Sequence, residues 1–287
     1  MYANINGTKL YFDINGSGKV IENGLVKNKP VVFLLHGGPG GTHLSFKPYL
    51  NELSNKVQLV YIDQRGCGSS ADEDPESYTL ENNVEDLEAL REHLGLSKIW
   101  VLGHSYGGMV AMSYALKYQD NLSGLLLITT SPSYRFIEKA KQYVEKEGNE
   151  EQKFYAEKLW NGNFQSYEEL QQYYKVMDSL YSIKSQNKEN LSRPKVKRSY
   201  EALNKGFGDF LRTFDIVDKL NNIKIPTLII AGKHDWITPV SENHTIHEKI
   251  SDSSFYILEN SSHNVFADEQ DKFNKIVSEF LTENNNK

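Results

Sequence analysis

The stretch Lys98-Ile99-Trp100-Val101-Leu102-Gly103-His104-Ser105-Tyr106-Gly107-Gly108 decides how this chain folds. Its first five residues read as a short β-strand. From Gly108 to about Tyr118 the pattern turns helical. Between them stands Gly-x-Ser-x-Gly. A serine between strand and helix on so tight a turn carries its hydroxyl exposed at the tip, and bulky residues two positions to either side would clash. The arrangement is a nucleophile elbow. It predicts that Ser105 attacks an electrophilic carbon.

Reading outward, the same strand-then-helix rhythm recurs. Pro30–Leu35 and Val57–Ile62 are continuous apolar runs, as expected for strands covered on both faces of a parallel sheet. The first ends in His36-Gly37-Gly38-Pro39-Gly40-Gly41, the second in Asp63-Gln64-Arg65-Gly66-Cys67-Gly68-Ser69-Ser70. Leu80–Leu94 is helical, with Leu80, Val84, Leu87, Leu90 and Leu94 in register. Gly124–Thr129, Ile225–Ala231 and Phe255–Leu258 add strands, and Val240–Ile250 and Asp268–Leu281 add helices. Tyr2–Ile5 and Lys9–Ile14 flank Asn6-Gly7, a hairpin signal. Ser17–Lys29 is polar and reads as an exposed loop. The whole predicts an α/β fold with a mostly parallel central sheet flanked by helices.

From Ser131 to Asn204 the strand signals stop. Phe154, Leu159, Tyr167, Leu170, Tyr174, Met177 and Leu180 recur at helical spacing. This is an expected all-helical insertion, a cap over residues 131–204 between core segments 1–130 and 205–287. Its tyrosines pack the insert onto the core, with a pocket lining as their second use. The basic run Arg193 to Arg198 reads as a solvated helix start.

The chain has 287 residues, 39% hydrophobic and 24% charged, with net charge −6. That composition is globular, and its acidity speaks against a nucleic-acid partner. No apolar run is long enough to span a bilayer. The single Cys67 excludes an internal disulfide and a cysteine metal cluster. With no basic, apolar leader at the N-terminus, cytoplasmic residence is expected. His244 and His247 are too few for a metal site, so neither metal nor cofactor is expected.

A serine needs a base to take its proton and a carboxylate to orient that base. Asp235 and His263 each follow a strand near the C-terminus, in the order Ser, Asp, His found in α/β-hydrolases. A developing oxyanion needs two donors. The backbone N–H of Tyr106 is one; Gly38, or its neighbour Gly37, supplies the other. Asp63 and Arg65 are expected to pair and brace the glycine-rich loop, Cys67 to be a small buried side chain, and His104 to pack away from the chemistry.

Taken together, His36-Gly37-Gly38-Pro39-Gly40, Asp63-Gln64-Arg65-Gly66-x-Gly68-x-Ser70, Gly103-x-Ser105-Tyr106-Gly107-Gly108 and Gly232-x-x-Asp235 resemble the proline iminopeptidase family. The stretch from Phe214 to Pro226 also resembles that family's return from cap to core. The resemblance implies a helical cap over a serine-hydrolase site, and release of an N-terminal residue, often proline, from short peptides or amides. It also implies carboxylates that hold the substrate amine, commonly in the cap. By position before the return to the core, Glu201 and Asp209 are the candidates. Trp236 stands just after Asp235, where some relatives place a glutamate, and suits an apolar acyl group. The alternative function is an esterase or lactonase. A receptor that kept the fold but lost turnover is the rival from another class, and the complete triad argues against it.

Overall fold

The computed structural model describes residues 1–22, 24–47, 49–186 and 197–284. The chain opens with strands β1 (Tyr2–Ile5) and β2 (Thr8–Asn15), joined by Asn6 and Gly7, both at positive φ. That is the turn whose twist matches the strands it joins. Next come β3 (Lys19–Glu22), β4 (Leu25–Asn28), β5 (Val31–Leu35), β6 (Gln58–Asp63), helix α1 (Leu80–His93), β7 (Ile99–His104), α2 (Tyr106–Tyr118) and β8 (Leu122–Ile128). Five helices follow: α3 (Arg135–Glu147), α4 (Glu150–Asn161), α5 (Tyr167–Tyr181), α6 (Ile183–Gln186) and α7 (Tyr200–Gly208). The chain then gives β9 (Thr227–Gly232), α8 (Val240–Lys249), β10 (Ser253–Leu258), α9 (Val265–Asp268) and α10 (Gln270–Asn284).

Among the described residues, eight strands form one sheet in the order β1-β2-β6-β5-β7-β8-β9-β10. The pairs β1/β2 and β2/β6 are antiparallel and all others parallel. Along β5 and β7 alternate residues enter opposite cores. Phe33, Leu35, Ile99 and Val101 pack on one face, and Val32, Leu34, Trp100 and Leu102 on the other. Each such side chain gains about 1.5–3 kcal/mol by leaving water, which is why these strands read as unbroken apolar runs. The chain leaves β5 towards β6 on one side and returns as β7 on the other. The carboxyl ends of β5 and β7 therefore flank a topological switch point, where open α/β sheets leave a crevice.

Two expectations are corrected. The segment expected as a loop over 17–29 contains the antiparallel pair β3/β4, with Ile21, Leu25 and Val26 exposed. The strands are short and, among the described residues, pair only with each other, so no buried face marks them; the Asn23-Gly24 dipeptide is the available signal. The boundary expected between 204 and 205 falls inside α7. Before α3 and after α7, Ser133 and Asp215 form an isolated antiparallel bridge. The insert's helices carry their own start signals. Asn149 and Gln152 form a reciprocal capping box on α4, and Ser166 and Ser199 cap α5 and α7. No helix among the described residues is long and apolar enough to cross a membrane.

Candidate active site

Ser105 stands between β7 and α2 with φ 55° and ψ −120°, a conformation side chains rarely adopt. Such a residue stores about 1–3 kcal/mol of strain and persists only where its surroundings hold it. Here its N–H donates to the Ile128 carbonyl at 2.9 Å, and its carbonyl accepts from Thr130 Oγ1 at 2.6 Å. The elbow also brings backbones into contact. A Cβ on Gly103 would lie 2.2 Å from the Gly107 carbonyl oxygen, and one on Gly107 would lie 2.1 Å from that of Leu35. The two glycines of the motif are therefore steric requirements.

His263 follows β10, and its Nδ1 lies 2.8 Å from Asp235 Oδ2. The carboxylate is buried. Its Oδ1 accepts from the N–H groups of Ile237 at 2.9 Å and Thr238 at 3.0 Å, and its Oδ2 from Thr238 Oγ1 at 2.9 Å. Burial pushes the Asp235 acid upward, but the His263 charge and these donors outweigh it and hold the group below the ordinary carboxylate range. The His263 carbonyl accepts from Thr129 Oγ1 at 3.0 Å and lies 3.2 Å from His104 Nε2. Among the described residues, no hydrogen bond joins Ser105 Oγ to the His263 ring, a contact that commonly tightens only with substrate in place. Both residues line one cavity of about 330 Å³.

Gly37 and Gly38 line the same cavity. Gly38 has φ +123°, where a Cβ would meet the Gly40 nitrogen at 2.7 Å. Tyr106 is the first residue of α2, so its N–H has no acceptor inside the helix. Its ring is buried, and its hydroxyl accepts from Asn83 Nδ2 at 2.9 Å.

The cap closes the cavity with Leu159, Tyr173, Tyr174, Asp178, Tyr181 and Phe207. Three residues named from the sequence stand elsewhere. Glu201 is exposed and does not line the cavity. Asp209 is exposed and pairs with Lys205 at 2.8 Å, one helical turn away. Trp236 is 1% exposed and lies behind the wall, against the rings of Tyr181 at 5.4 Å and Trp160 at 6.1 Å; its neighbour Ile237 faces the cavity instead. Position along the chain suggested the first two. The helix that faces the site is α5, where Tyr174, Asp178 and Tyr181 recur at spacings of four and three residues and so share one face. The Tyr181 ring stands 5.5 Å from that of His263. Asp178 is the one carboxylate among the described residues that lines the cavity.

Asp268 was also missed. It accepts from Ser182 Oγ and from the N–H groups of Ile183 at 3.1 Å, Lys184 at 3.2 Å and Ser262 at 2.9 Å. The Tyr181 carbonyl accepts from the Asn264 N–H at 3.0 Å. The end of α5 is thus stapled to the loop that carries His263.

Other expectations fare variously. Asp63 does brace the glycine-rich loop, but through His43, which offers its N–H at 2.7 Å and Nδ1 at 2.8 Å, and through the Ser69 N–H at 2.8 Å. Arg65 turns the other way and pairs with Asp86 at 2.6 and 2.9 Å. Cys67 is buried, and burial pushes its thiol up to about 12. His104 does not point away from the site: its ring lies 4.7 Å from that of His263 and lines the cavity. Burial, reinforced by the His263 charge, pulls it down to about 3, so it stays neutral. Of the basic run, Arg193 to Val196 lie outside the described residues.

Comparison with known proteins bears on this geometry. The family model described as alpha/beta hydrolase fold matches residues 30–270. The proline iminopeptidase of Saccharolobus solfataricus is 35% identical over 86% of this chain and 83% of its own. That of Clostridioides difficile is 32% identical over 99% and 98%. An alpha/beta fold family hydrolase from Bacillus anthracis superposes with a TM-score of 0.79 over 98% of both chains, at 24% identity. By fold and by full-length similarity, the chain belongs to the proline iminopeptidase family of α/β-hydrolases.

Proposed function

We propose that this serine hydrolase is an aminopeptidase that releases an N-terminal proline, or another small residue, from short peptides and amides. Ser105 Oγ attacks the scissile carbonyl carbon while His263 Nε2 takes its proton. Asp235 holds the ring and stabilises its charged form. The N–H groups of Tyr106 and Gly38, with Gly37 beside them, receive the oxyanion. His263 then protonates the departing nitrogen. Water, deprotonated by the same ring, opens the acyl-enzyme and frees the residue. This acyl transfer balances without a cofactor or metal. The cap is the insert between Ser133 and Asp215, and it chooses the substrate. A lone buried cysteine fits a reducing compartment, and cytoplasmic action on small peptides rather than nucleic acid is part of the reading.

The observation that carries the aminopeptidase reading is Asp178. An ammonium taken out of water costs several kcal/mol unless a charge meets it. Asp178 offers that charge one helical turn from Tyr181, the residue whose ring meets His263. The apolar faces of Leu159, Phe207 and Ile237 complete a site for a compact ring. Rates on prolyl, alanyl and N-acetylprolyl arylamides and on a short acyl ester test it. The prolyl arylamide should lead, and acetylation of its nitrogen should abolish turnover. Faster turnover of the blocked amide or of the ester would overturn the reading in favour of an esterase.

A further inference from the structure

Among the described residues, three that are not glycine have positive φ: Asn6, Ser105 and Thr129. Asn6 makes the first hairpin turn, and Ser105 is the nucleophile of the elbow. Thr129, with φ 40°, has no such explanation. A branched Cβ crowds the backbone in that region, so a threonine is seldom found there. Such a residue persists only where its surroundings over-determine it, and it marks a place where the fold is held for a purpose. Thr129 directly follows β8 and is fully buried. Nothing in the reaction described above uses it.

Its three polar groups reach three elements. The N–H donates to the Ile230 carbonyl of β9 at 2.8 Å and ties the residue to the sheet. The carbonyl accepts from Thr238 Oγ1 at 2.8 Å, a hydroxyl that also lies 2.9 Å from Asp235 Oδ2. The side-chain Oγ1 donates to the His263 carbonyl at 3.0 Å. One strained residue therefore touches both loops that complete the triad. His263 stands between β10 and α9, in no regular element, so no ladder of backbone hydrogen bonds fixes it. Asp235 holds one nitrogen of its ring, which orients the ring but leaves the backbone that carries it to other contacts. We infer that Thr129 is a positioning residue for the Asp235–His263 pair: its hydroxyl anchors the His263 backbone so that Nε2 meets Ser105 Oγ. This rests on the triad roles proposed above and holds alike for an amide or an ester substrate. A reacting group misplaced by about 1 Å can cost on the order of 10²-fold. Without the Thr129 hydroxyl the His263 carbonyl keeps His104 Nε2 at 3.2 Å, so the expected loss is smaller, about 10-fold.

The test measures kcat and KM for Thr129→Val, Thr129→Ala and Thr129→Ser on a prolyl arylamide and on 4-nitrophenyl acetate, with rates expressed per site labelled by a fluorophosphonate. Valine keeps the branched shape without the hydroxyl. Alanine removes it with nothing left to clash, and serves if the valine variant misfolds. Both should lower kcat about 10-fold on whichever substrate wild type turns over, with KM within about 2-fold, the mark of an interaction that matters only in the transition state. Fluorophosphonate labelling, which needs the same base but no particular substrate, should slow by the same factor. Thr129→Ser restores the donor and should recover kcat to within about 3-fold of wild type. A fall of less than about 5-fold per labelled site in both the valine and the alanine variants would overturn the inference. So would a serine variant as slow as alanine, because the shape of the side chain and not its hydroxyl would then be at work. Labelling of Ser105→Ala or His263→Gln as fast as wild type would instead remove the triad itself, and the role of Thr129 with it. Failure on the prolyl arylamide alone, with the ester still turned over, ends the aminopeptidase reading and leaves Thr129 decided by the ester and labelling rates.

Discussion

The two walls of the cavity are built on different principles. The core wall is made by backbone. Ser105 sits in a strained conformation, the elbow glycines touch neighbouring carbonyls, and Gly38 takes a φ of +123°. The cap wall is made by side chains on the inward faces of helices, where Tyr174, Asp178 and Tyr181 merely share a stripe of α5. Backbone constraints admit few residue types, so they leave motifs. A helix face admits many, so it leaves only periodicity. The difference teaches where chemistry and where specificity can vary: the first is fixed by geometry that few substitutions survive, the second by groups that can be exchanged one at a time.

The sharpest way to break this division is at the core wall. Ser105→Ala should cost on the order of 10⁴-fold or more in kcat on every substrate, amide or ester, with the fold intact. Activity above a tenth of wild type would mean the nucleophile is elsewhere. At the cap wall the effect should be smaller and selective. Asp178→Asn should slow the prolyl arylamide by roughly 10²-fold, equivalent to about 3 kcal/mol for a desolvated ion pair broken on one side. It should change an acyl ester by no more than about 3-fold. Glu201→Gln and Asp209→Asn, both outside the cavity, should leave both substrates near wild type. Equal losses on amide and ester in Asp178→Asn would show that the cap contributes to chemistry as well as choice.

Stability sharpens the contrast from another side. His104 is buried in the core wall and held neutral, pulled down to about 3. An unfolded histidine titrates near 6.5. Protons therefore bind the unfolded chain first, so this contribution to stability is complete above about pH 6.5 and is lost as pH falls towards 3. Between pH 7.5 and 5, wild type should lose about 2 kcal/mol more than His104→Gln in denaturant unfolding. Parallel losses in the two proteins would mean that His104 carries its proton in the fold.

What the sequence disclosed follows the same line. The sheet and the turns that carry Ser105 and Asp235 were legible because each follows a buried strand, marked by an apolar run that stops at small or polar residues; His263 follows β10, a half-exposed edge strand whose apolar run is shorter. The pair β3/β4 was not, because neither strand is covered and no period-two pattern sets its faces. Glu201 and Asp209 were chosen for their distance from the return to the core. That distance fixes neither the rotation of α7 nor the ion pair that draws Asp209 to Lys205. Trp236 was adjacent to Asp235 in the chain, yet the turn after β9 sends Ile237 into the cavity and Trp236 under Tyr181. Tyr181 and Ser182, at the end of α5, meet the His263 loop and Asp268 across a separation of more than eighty residues, which no local pattern records.

The smallest expected effect lies in the loop after β6, which belongs to the core wall but touches no substrate. Cys67 is 3% exposed, and its Sγ donates to the Arg65 carbonyl at 3.4 Å. Burial holds the thiol near 12, far above neutral pH, so the group is a neutral donor and not a thiolate nucleophile. Serine keeps the donor and nearly the volume. Cys67→Ser should therefore retain kcat/KM within about 3-fold and lose no more than about 1 kcal/mol of stability, the scale of a single adjusted hydrogen bond. Iodoacetamide should leave the wild-type rate unchanged over the time in which a fluorophosphonate abolishes it. A collapse of the Cys67→Ser rate with the circular dichroism spectrum preserved would show that this loop, tied to the glycine-rich turn through Asp63 and His43, transmits strain to the oxyanion donors and is part of the chemistry it borders.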